Sequence, residues 1–168
     1  ELETGGFYAE PQEDGTFRLE IPGFDLTSDK GYPSLPIRRS WVEAVAGRNV
    51  KLVSVEVFDK ETFKDLQPAV VEPVVEANSR GTVRAARNRK RRSQRTSAGV
   101  YPEKAAQVLS VGYQEDKKKA LVEMAPLTWD AKLGRLVLAH RLVVRLAFTG
   151  RDRGDSVRDG WRARSYRK

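Results

Sequence analysis

The sequence predicts an all-β fold, an antiparallel β-sandwich of about seven to nine strands with one long basic loop. Apolar and polar residues alternate along several segments, and this period of two is the pattern of a half-buried strand. No window carries a helical apolar stripe longer than two turns. With 168 residues, of which 39% are hydrophobic, the chain is long enough to build one domain around a core.

The first half of the chain contains three strand candidates. Residues 16–21 ("TFRLEI") and 50–58 ("VKLVSVEVF") alternate clearly. The side chains predicted to face inward are Phe17, Leu19 and Ile21 in the first segment and Val53, Val55 and Val57 in the second. Residues 59–66 ("DKETFKDL") predict one helical turn or a loop. Residues 69–75 ("AVVEPVV") predict an edge strand, because Pro73 cannot donate a ladder hydrogen bond.

The second half predicts two hairpins. Apolar segments flank "YQEDKKK" (residues 113–119), which indicates a hairpin with a long polar tip. Asp130 and Gly134 fit the ends of a short loop before the clearest strand, "RLVLAHRLVVRLAF" (135–148). The side chains predicted to share its buried face are His140, Leu142, Val144, Leu146 and Phe148.

The positive charge of the chain is concentrated in one segment. Residues 80–95 contain eight of the 31 Arg and Lys residues and no acid, so the other residues carry 23 basic groups against 23 acidic ones. This segment lacks apolar periodicity and predicts a mobile basic loop over residues 80–99. The domain organisation that follows is a β-sandwich over residues 1–150 and a polar tail over residues 151–168.

The residue types present argue against catalysis by this chain. There is no cysteine, which excludes a thiolate nucleophile and a cysteine-based zinc site. The single histidine, His140, is predicted to be a core residue with its hydrogen bonds satisfied, and no nucleophile-elbow motif accompanies it. The sequence therefore predicts no catalytic residue, no metal site and no cofactor.

Two other classes of function stay open from the residues alone. The basic run could neutralise several nucleic-acid phosphates, although no aromatic RNA-binding platform accompanies it. A β-sandwich could also be a carbohydrate-binding or adhesion module that uses exposed tryptophans. Burial is expected for Trp41 and Trp129, while Trp161 lies in the polar tail. Nucleic-acid binding is the less expected of the partner types.

Four motifs in a fixed order resemble the N-terminal propeptide of gingipain-type cysteine peptidases, over residues 17–150. The four are a Gly-x-Pro-x-Leu-Pro segment, a Tyr-Pro before a strand, an Ala-Pro-Leu hairpin, and the long Val-rich strand that follows this hairpin. The matching residues are Gly31, Pro33, Leu35 and Pro36; Tyr101 and Pro102; and Ala125, Pro126, Leu127, Trp129, Gly134 and Leu136. The family commonly has tyrosine where Trp129 stands.

The first motif also has a local interpretation. Pro33 and Pro36 fix φ and remove two backbone donors, and Gly31 permits a turn that other residues resist. The segment is therefore expected to be a stiff crossing that covers one end of the sandwich and leads into a strand at "WVEAVA" (41–46).

The resemblance implies a propeptide that has no activity of its own. It would keep a caspase-like cysteine peptidase domain, following it in the precursor, latent and assist its folding and secretion. In such propeptides a hairpin loop offers a basic side chain to the active-site cleft. Here that loop corresponds to residues 113–119, and its candidate anchors are Lys117, Lys118 and Lys119, with Lys118 expected at the apex. The family has arginine at this place.

The resemblance also implies processing after basic residues. The candidate processing residues are Arg164, Arg167 and Lys168, and the basic run of residues 80–95 is expected to be nicked during activation. The first residues lack the pattern of a signal peptide, and no apolar run approaches the roughly 20 residues that span a bilayer. A secreted or cell-surface protein is expected, with a signal peptide removed upstream of Glu1.

Overall fold

The computed structural model describes residues 1–72 and 99–154, and these ranges contain eleven β-strands. The strands are β1 (Leu2–Glu3), β2 (Tyr8–Pro11), β3 (Phe17–Glu20), β4 (Asp25–Leu26), β5 (Pro36–Glu43), β6 (Arg48–Lys64), β7 (Val100–Tyr101), β8 (Ala106–Gln114), β9 (Lys117–Met124), β10 (Leu127–Asp130) and β11 (Arg135–Arg151). Three of them have two residues each, so the eight longer strands agree with the predicted number. The all-β prediction is confirmed.

The strands form two larger sheets and one two-stranded ribbon. One sheet has the order β1-β11-β10-β7, with β6 also paired to β11; the other has the order β4-β5-β9-β8; and β2 pairs with β3. All these pairings are antiparallel. Buried side chains from both sheets share one hydrophobic cluster, in which Val122 and Met124 of β9 meet Leu142 of β11. This packing of two inner faces makes the fold a sandwich.

The β6–β11 pair is the longest feature of the fold. It runs from the Lys64–Arg135 pair at one end to the Arg48–Arg151 pair at the other. The prediction of a helical turn or loop over residues 59–66 is wrong, because main-chain pairing with β11 continues through Phe58 to Lys64. Backbone hydrogen bonds in a ladder do not require apolar side chains, so a charged segment can extend a strand.

Val53 is turned outward by an irregularity in β6. Ser54 pairs with Arg145, but Leu52 pairs with Leu146, which leaves Val53 as an extra residue in a β-bulge. Val53 is therefore 63% exposed, whereas Val55 and Val57, the other predicted inward residues, pack against the cluster shared by the sheets. The inward placement of Val53 was wrong, because the bulge shifts the alternation by one residue.

A second hydrophobic cluster lies around β3, β10 and the beginning of β11. It contains Leu19, Leu127, Trp129 and Leu136, together with Leu35 from the proline-rich crossing. The predicted inward face of residues 16–21 is confirmed for Leu19 and Ile21, which are both buried, while Phe17 is half-buried. The predicted inward face of residues 140–148 is less uniformly buried, since only Leu142 among its five side chains is fully buried.

The crossing over residues 31–36 is held by backbone hydrogen bonds. Gly31 has a φ of 83°, and its N–H donates to Val71 O over 2.9 Å, while Ser34 N–H donates to Ala69 O over 2.7 Å. Residues 69–71 thus run beside the crossing, with an isolated antiparallel bridge between Pro33 and Val70. Pro36 begins β5, which reaches the predicted "WVEAVA" segment. Within the crossing Pro33, Leu35 and Pro36 are buried, whereas Tyr32 is 39% exposed.

Two predicted regions lie mostly outside the described residues. These are the basic loop, apart from its last residue Gly99, and the tail beyond residue 154. Within the residues that the structure describes, no helix is long and apolar enough to cross a membrane.

Candidate functional site

The β8–β9 hairpin has a much shorter tip than the sequence predicted. Gln114 pairs with Lys117, so the turn consists of Glu115 and Asp116 alone. Glu115 has a φ of 56°, in the left-handed region that tight hairpin turns use. Most of the predicted seven-residue tip is thus strand, because ladder pairing continues through polar side chains. The hairpin lies within its sheet, and β5 pairs with β9 as far as Lys119.

The three lysines of β9 have different environments. Lys117 is exposed, and its ammonium lies 3.0 Å from Glu43 Oε1. Lys119 donates to Gln114 Oε1 over 2.6 Å and is half-buried. Lys118 faces the interior, because residues alternate along a strand and the buried side chains of β9 continue at every second position.

Lys118 is the buried cation of this site. Its side chain is 1% exposed, and Nζ donates to Asp152 Oδ2 over 2.6 Å and to the backbone carbonyl of Arg48 over 2.7 Å. Burying an ammonium costs several kcal/mol unless hydrogen bonds and an opposite charge compensate it, and these two acceptors supply both. The prediction of Lys118 at the apex is wrong, since the apex is Glu115 and Asp116.

Three segments meet at the end of the sandwich that carries this hairpin. Ala44 N–H donates to Lys118 O over 2.8 Å, and Asp152 N–H donates to Gly47 O over 2.9 Å. We define the tip surface as residues 115–117 of the hairpin, the β5–β6 turn at residues 44–47, and residues 151–154. Val45 of this surface is 50% exposed. The tip surface therefore combines an exposed cation with apolar area and the last described residues of the chain.

His140 lies away from the tip surface, and its two ring contacts are structural. Its Nδ1 lies 3.0 Å from Thr4 O and its Nε2 lies 3.1 Å from Glu61 Oε2. The hydrogen bond to the Thr4 carbonyl, followed by the one to the Glu61 carboxylate, raises the pKa of His140. The ring nitrogens are satisfied as predicted, but the side chain is 32% exposed, so its placement in the core was wrong. Among the described residues, no three His, Cys, Asp or Glu side chains form a group that could hold a metal ion.

The tryptophan predictions have a mixed outcome. Trp129 is buried at 8% exposure, as expected. Trp41 is 56% exposed, so its expected burial is wrong. It pairs with Leu121 in the middle of the β5–β9 ladder, and directly opposite residues share a face of the sheet. Because every second side chain of β9 from Lys118 to Met124 is buried and Leu121 lies between them, Trp41 is on the opposite, outer face. Trp161 lies outside the described residues.

A polar cleft of about 400 Å³ lies beside Tyr101, between the start of β5 and the start of β8. Tyr101 Oη donates to Asp29 Oδ2 over 2.8 Å, and the ring stacks on Tyr32 with centroids 4.9 Å apart. Burial, helped by the hydrogen bond to Asp29, raises the pKa of Tyr101 to about 12. Tyr101 thus stays a neutral donor at physiological pH and has a structural role in joining the crossing region to β7.

The sequence did not identify Asp152 as part of the site. It is separated from Lys118 by 34 positions, and its surrounding residues look like any charged tail. The predicted processing residues Arg164, Arg167 and Lys168 lie outside the described residues.

No family model matches the chain, and no curated protein matches its sequence significantly. Solved structures do match. A chain in the complex of the Porphyromonas gingivalis RgpB pro- and mature domains aligns with a TM-score of 0.63 and 19% identity, over 89% of this chain and 76% of that one. A structure on the zymogenic latency of gingipain K from the same organism aligns with a TM-score of 0.60 and 17% identity, over 86% of this chain and 81% of that one.

The chain has the fold of a gingipain prodomain. The resemblance of its motifs to gingipain propeptides is thereby confirmed at the level of the fold. The TM-scores of 0.63 and 0.60 establish a common architecture. Because identity is below 20% in both alignments, the role of each side chain has to be argued from this structure.

Proposed function

We propose that this chain is the prodomain of a gingipain-like cysteine peptidase and keeps that peptidase latent by placing its β8–β9 tip at the active-site cleft. The observation that carries the proposal is the match of 89% of the chain to a structure of gingipain pro- and mature domains in complex. The partner is a caspase-like peptidase domain that follows Lys168 in the precursor. The prodomain also assists the folding and secretion of that domain, and the mature protein is secreted or held at the cell surface.

The position of the tip surface supports this proposal. Asp152 is bound to Lys118 and Gly47, so the last described residues lie at the end of the sandwich that carries the hairpin. A peptidase domain that follows in the same precursor would be tethered to the prodomain. Tethering raises the effective concentration of a partner, commonly to the millimolar range for short flexible linkers.

Lys117 is the anchor that the geometry favours. Its ion pair with Glu43 is exposed on both sides, and such pairs contribute about 0–1 kcal/mol, so a pocket carboxylate can replace Glu43 at little cost. Lys118 is buried and would first have to leave its two acceptors, Asp152 Oδ2 and the Arg48 carbonyl. Lys119 would have to leave Gln114, and it lies two residues further from the turn than Lys117.

In this proposal the catalytic residues of the zymogen lie in the partner domain. In the described residues, His140 contacts Thr4 and Glu61 but no nucleophile. The whole chain lacks cysteine, so a cysteine peptidase cannot use a nucleophile from it.

The test is titration of the purified domain against the peptidase domain of the same precursor. Lys117→Ala should raise the inhibition constant about 10- to 100-fold, the equivalent of one hydrogen bond between charged groups. Lys132→Ala is the matched control, because Lys132 is also exposed at a hairpin turn, in the β10–β11 loop next to the opposite end of β11. Equal inhibition by both variants would remove Lys117 as the anchor.

The same titration separates the prodomain role from the identity of the anchor. Inhibition that survives Lys117→Ala but is lost when the basic residues of 80–95 are neutralised would place the anchor in that run. Absence of inhibition by the wild-type domain would refute the prodomain role itself. Salt-sensitive binding of RNA or heparin that requires residues 80–95 would then favour the nucleic-acid alternative.

Processing by the released peptidase is a further part of the proposal. Cleavage is proposed after the basic residues Arg164, Arg167 or Lys168 and within the run of residues 80–95. Mass spectrometry of the precursor during activation should show fragments that end at these residues. An active peptidase that is accompanied by a prodomain intact over residues 80–95 would contradict the internal cut.

A further inference from the structure

The ion pair between Lys118 and Asp152 is a feature of the tip surface that the proposed anchoring does not use. Lys118 Nζ lies 2.6 Å from Asp152 Oδ2 and 2.7 Å from Arg48 O, and the Lys118 side chain is 1% exposed while that of Asp152 is 27% exposed. The three residues belong to β9, to the start of β6 and to the segment just after β11. A single ammonium thus joins three segments that are distant in the sequence.

Stability alone is a weak explanation for a charge at this position. The other inward side chains of β9 are Ala120, Val122 and Met124, and all of them are apolar. Replacing a buried ion pair by well-packed apolar residues is often neutral or stabilising, because the pair must offset the desolvation of both ions. The pair can fix the orientation of the segments that it joins, because its hydrogen bonds have a defined length and direction, whereas an apolar contact has no such directionality.

The hydrogen bonds around the pair join the hairpin to the β5–β6 turn and to the segment after β11. Lys118 lies next to Lys117, one residue inward from the turn, and its backbone carbonyl accepts from Ala44 N–H. Asp152 in turn donates its backbone N–H to the Gly47 carbonyl. Rotation of the hairpin tip relative to the β5–β6 turn and residues 151–154 would break the bonds that Lys118 makes with Ala44, Arg48 and Asp152.

We propose that Lys118 is a positioning residue: the bonds from its buried ammonium to Asp152 and to the Arg48 carbonyl fix the hairpin tip against the end of β11, and so present Lys117 to the partner in one orientation. This inference rests on the proposed function for its consequence in inhibition, but the fixing of the tip is a property of the isolated domain. A tip ordered in advance loses less conformational entropy on docking, which strengthens binding.

The first measurement needs no peptidase. Lys118→Met keeps an unbranched side chain of similar length and removes the charge. Amide hydrogen exchange at residues 115–117 and 151–154 should become about tenfold faster in this variant, the loss of roughly one hydrogen bond to a charged group. Met124→Leu is the control, because it changes another buried residue of β9 at the far end of the same strand while conserving volume. Unchanged exchange at the tip of the Lys118→Met domain would overturn the inference.

The second measurement is a double-mutant cycle on inhibition. Lys118→Met should raise the inhibition constant about tenfold when Lys117 is present and should have little further effect when Lys117 is already alanine, because it acts through Lys117. A purely structural role would give the same factor in both backgrounds, and that result would overturn the inference. If Lys118→Met fails to fold, Asp152→Ala cuts the same pair from its more exposed side, and the same results are expected.

The two proposals fail in different ways. If wild-type domain does not inhibit the peptidase, the proposed function fails, while faster exchange at the tip still supports the positioning of the hairpin. If Lys117→Ala weakens inhibition but Lys118→Met changes neither exchange nor inhibition, the proposed function stands and the positioning role is refuted.

Discussion

Replacement of Leu35 by alanine tests whether the proline-rich crossing is part of the core. Leu35 is 0% exposed and packs in the cluster that includes Leu19, Leu127 and Trp129. Its backbone N–H donates to Thr27 Oγ1 over 2.9 Å, and that hydroxyl donates to Pro33 O over 2.9 Å. The backbone around Leu35 is thus held in place.

The expected loss of stability follows from these surroundings. Truncation of a buried leucine to alanine costs about 2.7–5.0 kcal/mol, and the cost is larger where the structure cannot collapse into the cavity. Because the two neighbouring prolines and the Thr27 hydrogen bonds restrain the crossing, we expect about 3–4 kcal/mol. For a domain of this size, that corresponds to a fall of about 10 °C in Tm.

The assay is urea unfolding, followed by both circular dichroism and tryptophan fluorescence. Agreement between the two probes establishes that the transition is two-state, which the free-energy comparison requires. Leu133→Ala is the matched control, because Leu133 is 61% exposed in the β10–β11 loop, and its change should be within about 0.5 kcal/mol. A loss below about 1 kcal/mol for Leu35→Ala would refute the claim that the crossing is built into the core.

Two further predictions concern a turn and a titratable group. Gly134 has a φ of 57°, and a β-carbon added there would meet no atom within 4 Å. Gly134→Ala should therefore lower the free energy of unfolding by about 1–2 kcal/mol through backbone strain alone. Gly112 is equally open but has an ordinary φ, so Gly112→Ala should be close to neutral in the same unfolding assay. Equal losses for the two glycine variants would contradict the strain at Gly134. The pKa of His140 is raised by its bonds to the Thr4 carbonyl and Glu61. Protonated His140 therefore stabilises the fold fully at a pH below the ordinary pKa of 6.5, and this contribution is lost as the pH rises through the higher pKa of the folded state. An NMR titration of this single histidine should show a midpoint above 6.5 that falls in Glu61→Gln, and an unshifted midpoint would contradict the assignment.

Several features of the fold and site follow from short stretches of sequence. The burial of Leu19 follows from local alternation. The β10–β11 turn follows from Asp130 and Gly134: Asp130 Oδ1 accepts from the N–H groups of Lys132 and Leu133, over 3.0 and 3.1 Å. Both depend on side-chain period and turn chemistry within a few residues, which the sequence displays directly.

Other features depend on residues that are far apart in the chain. Whether Lys118 is a tip cation or a buried one depends on Asp152, and whether Val53 faces inward depends on the register of β6 against β11. Trp41 is exposed because its partner Leu121 lies on the face of β9 opposite the buried side chains. The sequence by itself therefore determined the strand pattern, the proline-rich crossing and the absence of a cysteine nucleophile. Only the tertiary structure decided which lysine is exposed at the hairpin tip, because burial and pairing arise from long-range packing.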